Sequence, residues 1–358
     1  MASKYKTNAT LTQFHNKIKL QNGGLVKFFY AMVLFLISQQ VQAQNTTQNI
    51  IKVDGSSTVY PITEAIAEEF QIAKKNKIKV TVGVSGTGGG FKKFCRGETD
   101  LQDASRPISH TEMADCKKAG IQYFELPIAF EGTVVAVNIK NTWLNEISVA
   151  DLKKIWEPPA TGKIKKWNQI KAQWPDAEFK LFGAGSDSGT FDYFTEAIVG
   201  KAKSSRGDYT AAEDDNTIVK GIAGDRNGIG YLPMSYYEEN KKTLKALAII
   251  GGEKAPTKTA VFPTVQTVEN GTYFPLSRPL FIYVSAAAIK KPEVSEFVKF
   301  YIKNAVEIVP QVKYVALPPQ AYIMIEERFL KGKTGTVFSA GSHVGMKIEE
   351  LIKKETVH

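Results

Sequence analysis

One stretch decides the fold class of this chain: Ile78-Lys79-Val80-Thr81-Val82-Gly83-Val84, then Ser85-Gly86-Thr87-Gly88-Gly89-Gly90, then Phe91-Lys92-Lys93-Phe94-Cys95. Apolar residues alternate with others up to Val84, which predicts a strand. Phe91, Phe94 and Cys95 recur at helical spacing, which predicts a helix. The small residues between them are typical of a loop, so the stretch predicts a strand, a small polar loop and a helix in that order.

The same order occurs twice more along the chain. Ile50–Val53 leads into Asp54–Thr58 and a helix from about Pro61, and Glu178–Gly183 leads into Ala184–Thr190 and a further helix. Alternating strands and helices predict an α/β fold with parallel strands. Further predicted elements are helices from Ser148 and over Pro292–Ala305, and strands over Thr133–Val137, Ala246–Ile250 and Pro279–Val284.

The chain has 358 residues, which indicates two domains, and its first 43 residues read as a secretory signal peptide. That segment is basic, lacks acidic residues, and carries the apolar run Phe28–Ile37 before Val41-Gln42-Ala43. The mature chain is expected to begin at Gln44 in the periplasm. The formal net charge of the whole chain is +10, and five of its lysines lie in this segment. The remaining lysines are scattered without aromatic interleaving, so no nucleic-acid partner is expected.

Cys95 and Cys116 are the two cysteines of the sequence. In an oxidising compartment a disulfide between them would stabilise the fold by about 3 kcal/mol, and two buried thiols are the alternative. The four histidines stand far apart and offer no ligand cluster. We therefore expect no metal site and no cofactor.

Three loops rich in glycine and hydroxyl residues each lead into a predicted helix. The first turn of a helix has unpaired N–H groups, so such loops suit a small oxyanion, and loops after parallel strands converge on one crevice. Gly185–Gly189 superficially resembles the nucleophile segment of a trypsin-like protease. Only His110 could serve as its base, and no motif surrounds it, so no catalytic residue is expected.

Five ordered motifs resemble the periplasmic phosphate-binding protein of the Pst ABC transporter over about Ile51 to Phe329. They are Asp54–Pro61, Ser85–Gly90, Ala104–Ile108, Ser186–Phe191 and Asn227–Tyr231. The resemblance implies a type II periplasmic binding protein, with two interwoven α/β domains, central mixed sheets and a ligand cleft between them. It also implies a non-enzymatic monomer whose partners are inorganic phosphate and a membrane permease.

On this resemblance, domain I spans residues 44–130 plus 274–358, and domain II spans residues 131–273. The crossovers are expected near Thr133–Val137 and Pro275–Val284. The residues that the resemblance places at phosphate are Ser57, Thr58, Thr87, Ser188, Gly189 and Thr190.

The chain departs from the family pattern at two positions. Arg106 stands where relatives place an aspartate that accepts the phosphate proton, and Ala184 stands where they place an arginine. A guanidinium at Arg106 would offer a bidentate fork to two phosphate oxygens. Asp187 is the nearest candidate for the missing acceptor, with Asp214 and Asp215 as alternatives.

Ser205 and Arg206 precede Asp214 and Asp215 in the sequence. They are candidates for one more contact with the anion, and the alternative is that they are solvated surface residues. Three rival functions stay open at this stage. The chain binds another oxyanion such as sulfate, molybdate or tungstate, or it is a secreted hydrolase with Ser188 or Ser57 as nucleophile, or it is an adhesion protein. The missing acceptor favours the first rival over the other two.

Overall fold

The computed structural model describes residues 49–338 and 344–357, so the predicted signal peptide lies outside them. The strands are β1 (Asn49–Gly55), β2 (Ile78–Val84), β3 (Leu101–Ala104), β4 (Tyr123–Asn138), β5 (Glu146–Ser148), β6 (Lys180–Ala184), β7 (Thr210–Ala212), β8 (Gly228–Pro233), β9 (Leu244–Ala246), β10 (Ala248–Ile250) and β11 (Ser277–Ser285). The α-helices are α1 (Tyr60–Ala73), α2 (Gly86–Phe94), α3 (His110–Lys118), α4 (Val149–Trp156), α5 (Gly189–Val199), α6 (Asp215–Gly224), α7 (Met234–Glu239), α8 (Val265–Glu269), α9 (Pro292–Gln311), α10 (Pro319–Leu330) and α11 (Ile348–Val357).

The main sheet has nine strands and is mixed. Its order is β2-β1-β3-β11-β4-β8-β6-β7, and β9 also pairs with β4. Strand β1 runs parallel to β2 and β3, and β6 runs parallel to β7 and β8. Strand β11 is antiparallel to β3 and to β4. Strand β4 is also antiparallel to β8 and β9. The α/β fold with a mixed sheet is therefore confirmed.

Strand β4 connects the two parts of this sheet. Its residues up to Gly132 pair with β11, and Thr133–Val137 pair with β8. All of β4 is buried, because both faces are covered by other elements. Helix α9 packs on α1 through Phe297 and Phe70, whose ring centroids are 5.1 Å apart, and so returns the chain to the first strands. The predicted domain limits remain a prediction.

Two sequence predictions of secondary structure are wrong. The glycine-rich segment after β2 is the start of α2 and not a loop. Glycine costs a helix about 1 kcal/mol per residue, but a Cβ on Gly90 would lie 2.6 Å from the Cα of Gly55, so close helix–strand packing requires it. The predicted strand Ala246–Ile250 is divided into β9 and β10, because they pair with different strands, β4 and β5.

The two cysteines form a disulfide that joins the end of α2 to α3. Their Cα atoms are 4.4 Å apart across 21 positions of sequence. Of the two states that the sequence left open, the structure has the bridge. In the described part of the chain, no helix combines the length and the apolar character that crossing a bilayer requires.

Candidate functional site

The candidate site lies where loops leave the carboxyl ends of β1, β2, β3 and β6. Each loop carries a buried hydroxyl residue. These residues are Thr58 after β1, Thr87 in the first turn of α2, Ser105 after β3, and Ser188 and Thr190 at the start of α5. The predicted convergence of hydroxyl loops is thus present, and Ser105 joins the set although the sequence analysis did not select it.

Two of these hydroxyls meet across the site. The Oγ1 atoms of Thr58 and Thr190 are 3.1 Å apart, and both side chains are completely buried. The backbone around them is fixed from elsewhere, because Tyr314 donates its hydroxyl hydrogen to the Thr58 carbonyl at 2.6 Å. Tyr236 likewise donates to the Ser57 carbonyl at 3.3 Å. The hydroxyls of Thr58 and Thr190, which are 132 positions apart in the sequence, therefore lie next to each other in the site.

The other two loops meet Gly189. Thr87 Oγ1 lies 3.1 Å from Ser105 Oγ and accepts a hydrogen bond of 3.2 Å from the Ser105 amide. A Cβ on Gly189 would lie 2.5 Å from each of these hydroxyl oxygens, so a larger residue would collide with both. Ser188 caps α5 by accepting a hydrogen bond from the Thr190 amide at 3.1 Å. The start of α5 is consequently held directly against the start of α2 and the loop after β3.

The buried cation of the site is Arg278, on β11. Its Nη2 donates to Thr190 Oγ1 at 2.8 Å and to Thr58 Oγ1 at 3.4 Å, and Nη1 donates to the Gly189 carbonyl at 3.0 Å. Glu131 on β4 balances its charge, since Nε donates to Glu131 Oε1 at 2.8 Å and Nη2 donates to the same oxygen. Both side chains are buried, which raises the pKa of Glu131, although the Arg278 charge and hydrogen bonds oppose that shift.

Arg278 is not among the predicted site residues, although the sequence contains a signal for it. Arg278 is the single charge of the buried strand β11, and Glu131 is one of two carboxylates in the buried strand β4. A charge in a buried strand is stable only when paired, so an arginine and a glutamate in two such strands indicate a buried pair.

Asp215, one of the alternative acceptors, is buried beside this cation. It is the first residue of α6, is 2 % exposed, and is hydrogen-bonded by the Ser57 hydroxyl. Burial raises the pKa of this carboxyl to about 7, with Ser57 and Arg278 lowering it and Glu131 raising it. Among the described residues, none donates a hydrogen bond to its Oδ2.

The structure corrects the prediction that Arg106 offers a free fork to an oxyanion. Its Nη1 and Nη2 donate to Glu112 at 2.7 and 2.8 Å, and its Nε donates to Asp192 at 2.7 Å. The physical reason is burial, because a guanidinium with only 12 % of its side chain exposed requires compensating carboxylates. Arg106 instead joins the loop after β3 to helix α5.

Asp187 and Asp214 also hold other partners. The half-buried Asp187 accepts a hydrogen bond from Lys92 Nζ at 2.9 Å, and its carbonyl accepts one from the Gly88 amide at 2.8 Å. The exposed Asp214 caps α6 by accepting from the Asn216 amide at 2.9 Å. Of the three candidate acceptors, Asp215 is therefore the buried one with an unpartnered oxygen.

Ser205 and Arg206 lie in a structural junction. Arg206 donates to Asp208 at 2.6 and 2.8 Å and to the carbonyls of Ile155 and Ile164, while Ser205 donates to the Trp156 carbonyl at 3.3 Å. The Arg206 hydrogen bonds lower the pKa of Asp208, although burial opposes this. The hydrogen bonds of Arg206 thus lie in this junction, and in the described part of the chain none of them goes to the hydroxyl cluster.

His110 is the first residue of α3, which begins with a capping box between Ser109 and Glu112. The sequence around it is therefore a helix start, which accounts for the absence of a catalytic motif there. Within residues 49–338 and 344–357, no group of three or more His, Cys, Asp and Glu side chains could hold a metal ion.

The chain is similar to a known domain family and to several known proteins. The PBP superfamily domain matches residues 40–305. The chain is 51% identical to the Synechococcus elongatus protein SphX over 89% of this chain and 92% of that protein. It is 38% identical to the phosphate-binding protein PstS of Staphylococcus epidermidis over 76% of this chain and 80% of that protein.

Two solved structures share the fold. A possible phosphate binding protein from Planctomyces limnophilus is 47% identical, with a TM-score of 0.59 over 79% of this chain and 98% of that one. A Clostridium perfringens protein assigned to phosphate ABC transport, solved with bound phosphate, is 25% identical, with a TM-score of 0.63 over 75% of this chain and 100% of that one. The chain thus belongs to the PBP superfamily and is a homologue of the PstS phosphate-binding proteins.

Proposed function

We propose that the chain binds inorganic phosphate outside the cytoplasm and delivers it to the membrane permease of an ABC importer. The observation that carries this is the buried guanidinium of Arg278 among the hydroxyls of Thr58 and Thr190. A guanidinium with converging hydroxyl and helix N-terminal N–H donors suits a tetrahedral oxyanion. The names of the PstS relatives and the phosphate in the C. perfringens structure support the choice of anion.

The proposed domains, residues 44–130 plus 274–358 and residues 131–273, would close over the anion between them. Three contacts that join them support this arrangement: the Gly88 amide to the Asp187 carbonyl at 2.8 Å, Lys92 to Asp187 at 2.9 Å, and Arg106 to Asp192 at 2.7 Å. An anion bound at the hydroxyl cluster stabilises this closed arrangement, because it binds the closed arrangement more tightly than the open one. The closed surface is then what the permease recognises.

Titration calorimetry on refolded, ligand-stripped protein tests the proposal. We expect phosphate and arsenate to bind, and sulfate, molybdate and tungstate to bind more weakly. Sulfate or molybdate binding that equals or exceeds phosphate binding would replace the proposal with another oxyanion. A lack of heat with every anion, together with hydrolysis of a phosphate monoester, would favour the hydrolase.

The periplasmic location rests on the predicted signal peptide of residues 1–43. The protein released by osmotic shock should begin at Gln44 on N-terminal sequencing and elute as a monomer on size exclusion. A released protein that retains residues before Gln44 would contradict the predicted cleavage.

A further inference from the structure

Tyr193 links helix α5, which begins at the site, to the strand that carries Arg278. The residue is buried, and its hydroxyl donates to the Pro275 carbonyl at 2.7 Å and to the carbonyl of Ser277, which directly precedes Arg278. Burial raises the pKa of Tyr193, so the hydroxyl keeps its hydrogen at neutral pH. The backbone on which Arg278 stands is therefore tied to α5, whose first turn forms part of the candidate site.

The C-terminal segment fixes the direction of this hydroxyl. The Gly345 amide donates to the Tyr193 oxygen at 3.1 Å. An amide N–H can only donate, so the hydroxyl hydrogen is left for the two carbonyls. Gly345 has a φ of 72°, and a Cβ there would lie 2.3 Å from the Phe274 ring, so this approach requires glycine. The segment that leads into α11 thus contacts the tyrosine and orients its hydrogen bonds.

The ring of Tyr193 covers one face of the Arg278 guanidinium. Arg278 Cζ lies 5.4 Å from the centroid of the ring. The edges of the guanidinium are held by Glu131, by the Gly189 carbonyl and by the threonine hydroxyls of the site. Those hydrogen bonds lie along the edges of a planar group, and an aromatic ring over its face resists tilting out of that plane. Tyr193 therefore completes the restraint on the orientation of the cation.

We propose that Tyr193 is a positioning residue of the anion site and acts on it through Arg278. Its hydroxyl fixes the backbone that carries the guanidinium. Its ring fixes the plane in which the guanidinium reaches the Thr58 and Thr190 hydroxyls. This inference rests on the proposed function, and it adds a residue that sets the affinity for phosphate from outside the predicted ligand contacts.

Two substitutions separate the contributions of the hydroxyl and the ring. Tyr193→Phe removes the hydroxyl and keeps the ring over Arg278, whereas Tyr193→Leu removes both. In calorimetry, sodium phosphate should bind about threefold more weakly to Tyr193→Phe and at least about tenfold more weakly to Tyr193→Leu.

A second measurement follows the guanidinium itself. Exchange of the Arg278 Nε hydrogen with solvent, measured in nitrogen-15 spectra, should be faster in both Tyr193 variants, because the guanidinium is less firmly held. The signal that is missing from the spectrum of Arg278→Met identifies this hydrogen.

Tyr322→Phe is the matched control for the loss of a buried hydroxyl. Tyr322, on α10, is buried like Tyr193, donates to the Ile128 carbonyl at 2.8 Å and accepts from the Leu317 amide at 3.1 Å. These partners lie outside α5 and β11. Tyr322→Phe should therefore lower the urea midpoint to a similar extent as Tyr193→Phe, while the phosphate affinity and the Arg278 exchange rate stay at the wild-type values.

The outcomes distinguish the inference from the proposed function. If the Tyr193 variants lower only the urea midpoint, with phosphate affinity and exchange like those of Tyr322→Phe, the inference is overturned. If Tyr193→Leu does not fold, Tyr193→Phe decides the question, since it preserves the volume of the side chain. A wild type that binds no phosphate would overturn the proposed function instead, and the exchange of the Arg278 hydrogen would still test the positioning.

Discussion

Replacing Arg278 should change both the stability of the fold and the affinity for phosphate. Arg278→Met removes the guanidinium but keeps much of the side-chain length. It leaves Glu131 completely buried without its cation, which should lower the free energy of unfolding by about 3–5 kcal/mol. Loss of the charge-assisted contacts at Thr58 and Thr190 should weaken phosphate binding by about 2–5 kcal/mol, or roughly 30-fold to several thousand-fold.

A double variant distinguishes these two effects. Arg278→Met combined with Glu131→Leu replaces the whole buried pair by apolar groups, which is often close to neutral for stability. Urea unfolding should therefore recover most of the loss, whereas calorimetry should still find weak phosphate binding. Arg106→Met is the matched control, because Arg106 is also a buried arginine between two carboxylates, Glu112 and Asp192. It should lower stability while changing phosphate affinity less than about tenfold.

The affinity of the double variant decides the matter. Phosphate binding at the wild-type level would show that Arg278 is a structural residue and does not contact the ligand. A larger affinity loss in Arg106→Met than in the double variant would restore the role that the sequence analysis assigned to Arg106. Either result would refute the assignment of the cation to β11.

Further changes should have measurable consequences. Gly189→Val should abolish phosphate binding in calorimetry, because its Cβ would lie 2.5 Å from two hydroxyl oxygens. Ser188→Ala should lower the stability of α5 by only about 1 kcal/mol, because it removes the helix cap. Similar effects of the two variants on phosphate binding would contradict this geometry. The double change Cys95→Ser with Cys116→Ser should lower the unfolding free energy by about 3 kcal/mol in urea, and a reductant should then have no further effect. Because the folded-state pKa of Asp215 is raised to about 7, its contribution to stability is full below the unfolded-state pKa and is lost as pH rises to about 7. Asp215→Asn should accordingly flatten the pH dependence of the unfolding free energy between pH 4 and pH 7, and an unchanged slope would show that Asp215 titrates normally.

Local features of the sequence predicted much of the fold. The alternation of Ile78–Val84 matches β2, because strand periodicity depends on neighbouring residues alone. The predicted helix from Ser148 is α4, which Ser148 and Asp151 start with a capping box whose partners lie within one helical turn. The hydroxyl loops were found for the same reason, as each directly precedes or opens its helix.

Long-range contacts decided the rest. A long-range contact requires glycine at position 90 of this helix, because a Cβ there would lie 2.6 Å from the Cα of Gly55 on β1. Arg106 and Arg278 are both single arginines next to proline, and the sequence around them does not show which one reaches the hydroxyls. The structure distinguishes them by their contacts, because Arg278 donates to the hydroxyls of Thr58 and Thr190. Arg106 instead donates to Glu112 and Asp192.

The acidic residues at the start of α6 show most clearly that the local sequence does not decide which residue is buried. Asp214 and Asp215 are adjacent and chemically identical, so composition, spacing and charge treat them alike. Asp214 is exposed and caps its helix, whereas Asp215 is buried and interacts with Glu131 on β4 and Arg278 on β11. Burial and neighbouring charge set the properties of a carboxylate, and both come from residues far away in the sequence. The sequence by itself therefore offered three acidic candidates, and only the tertiary structure decided which of them is buried.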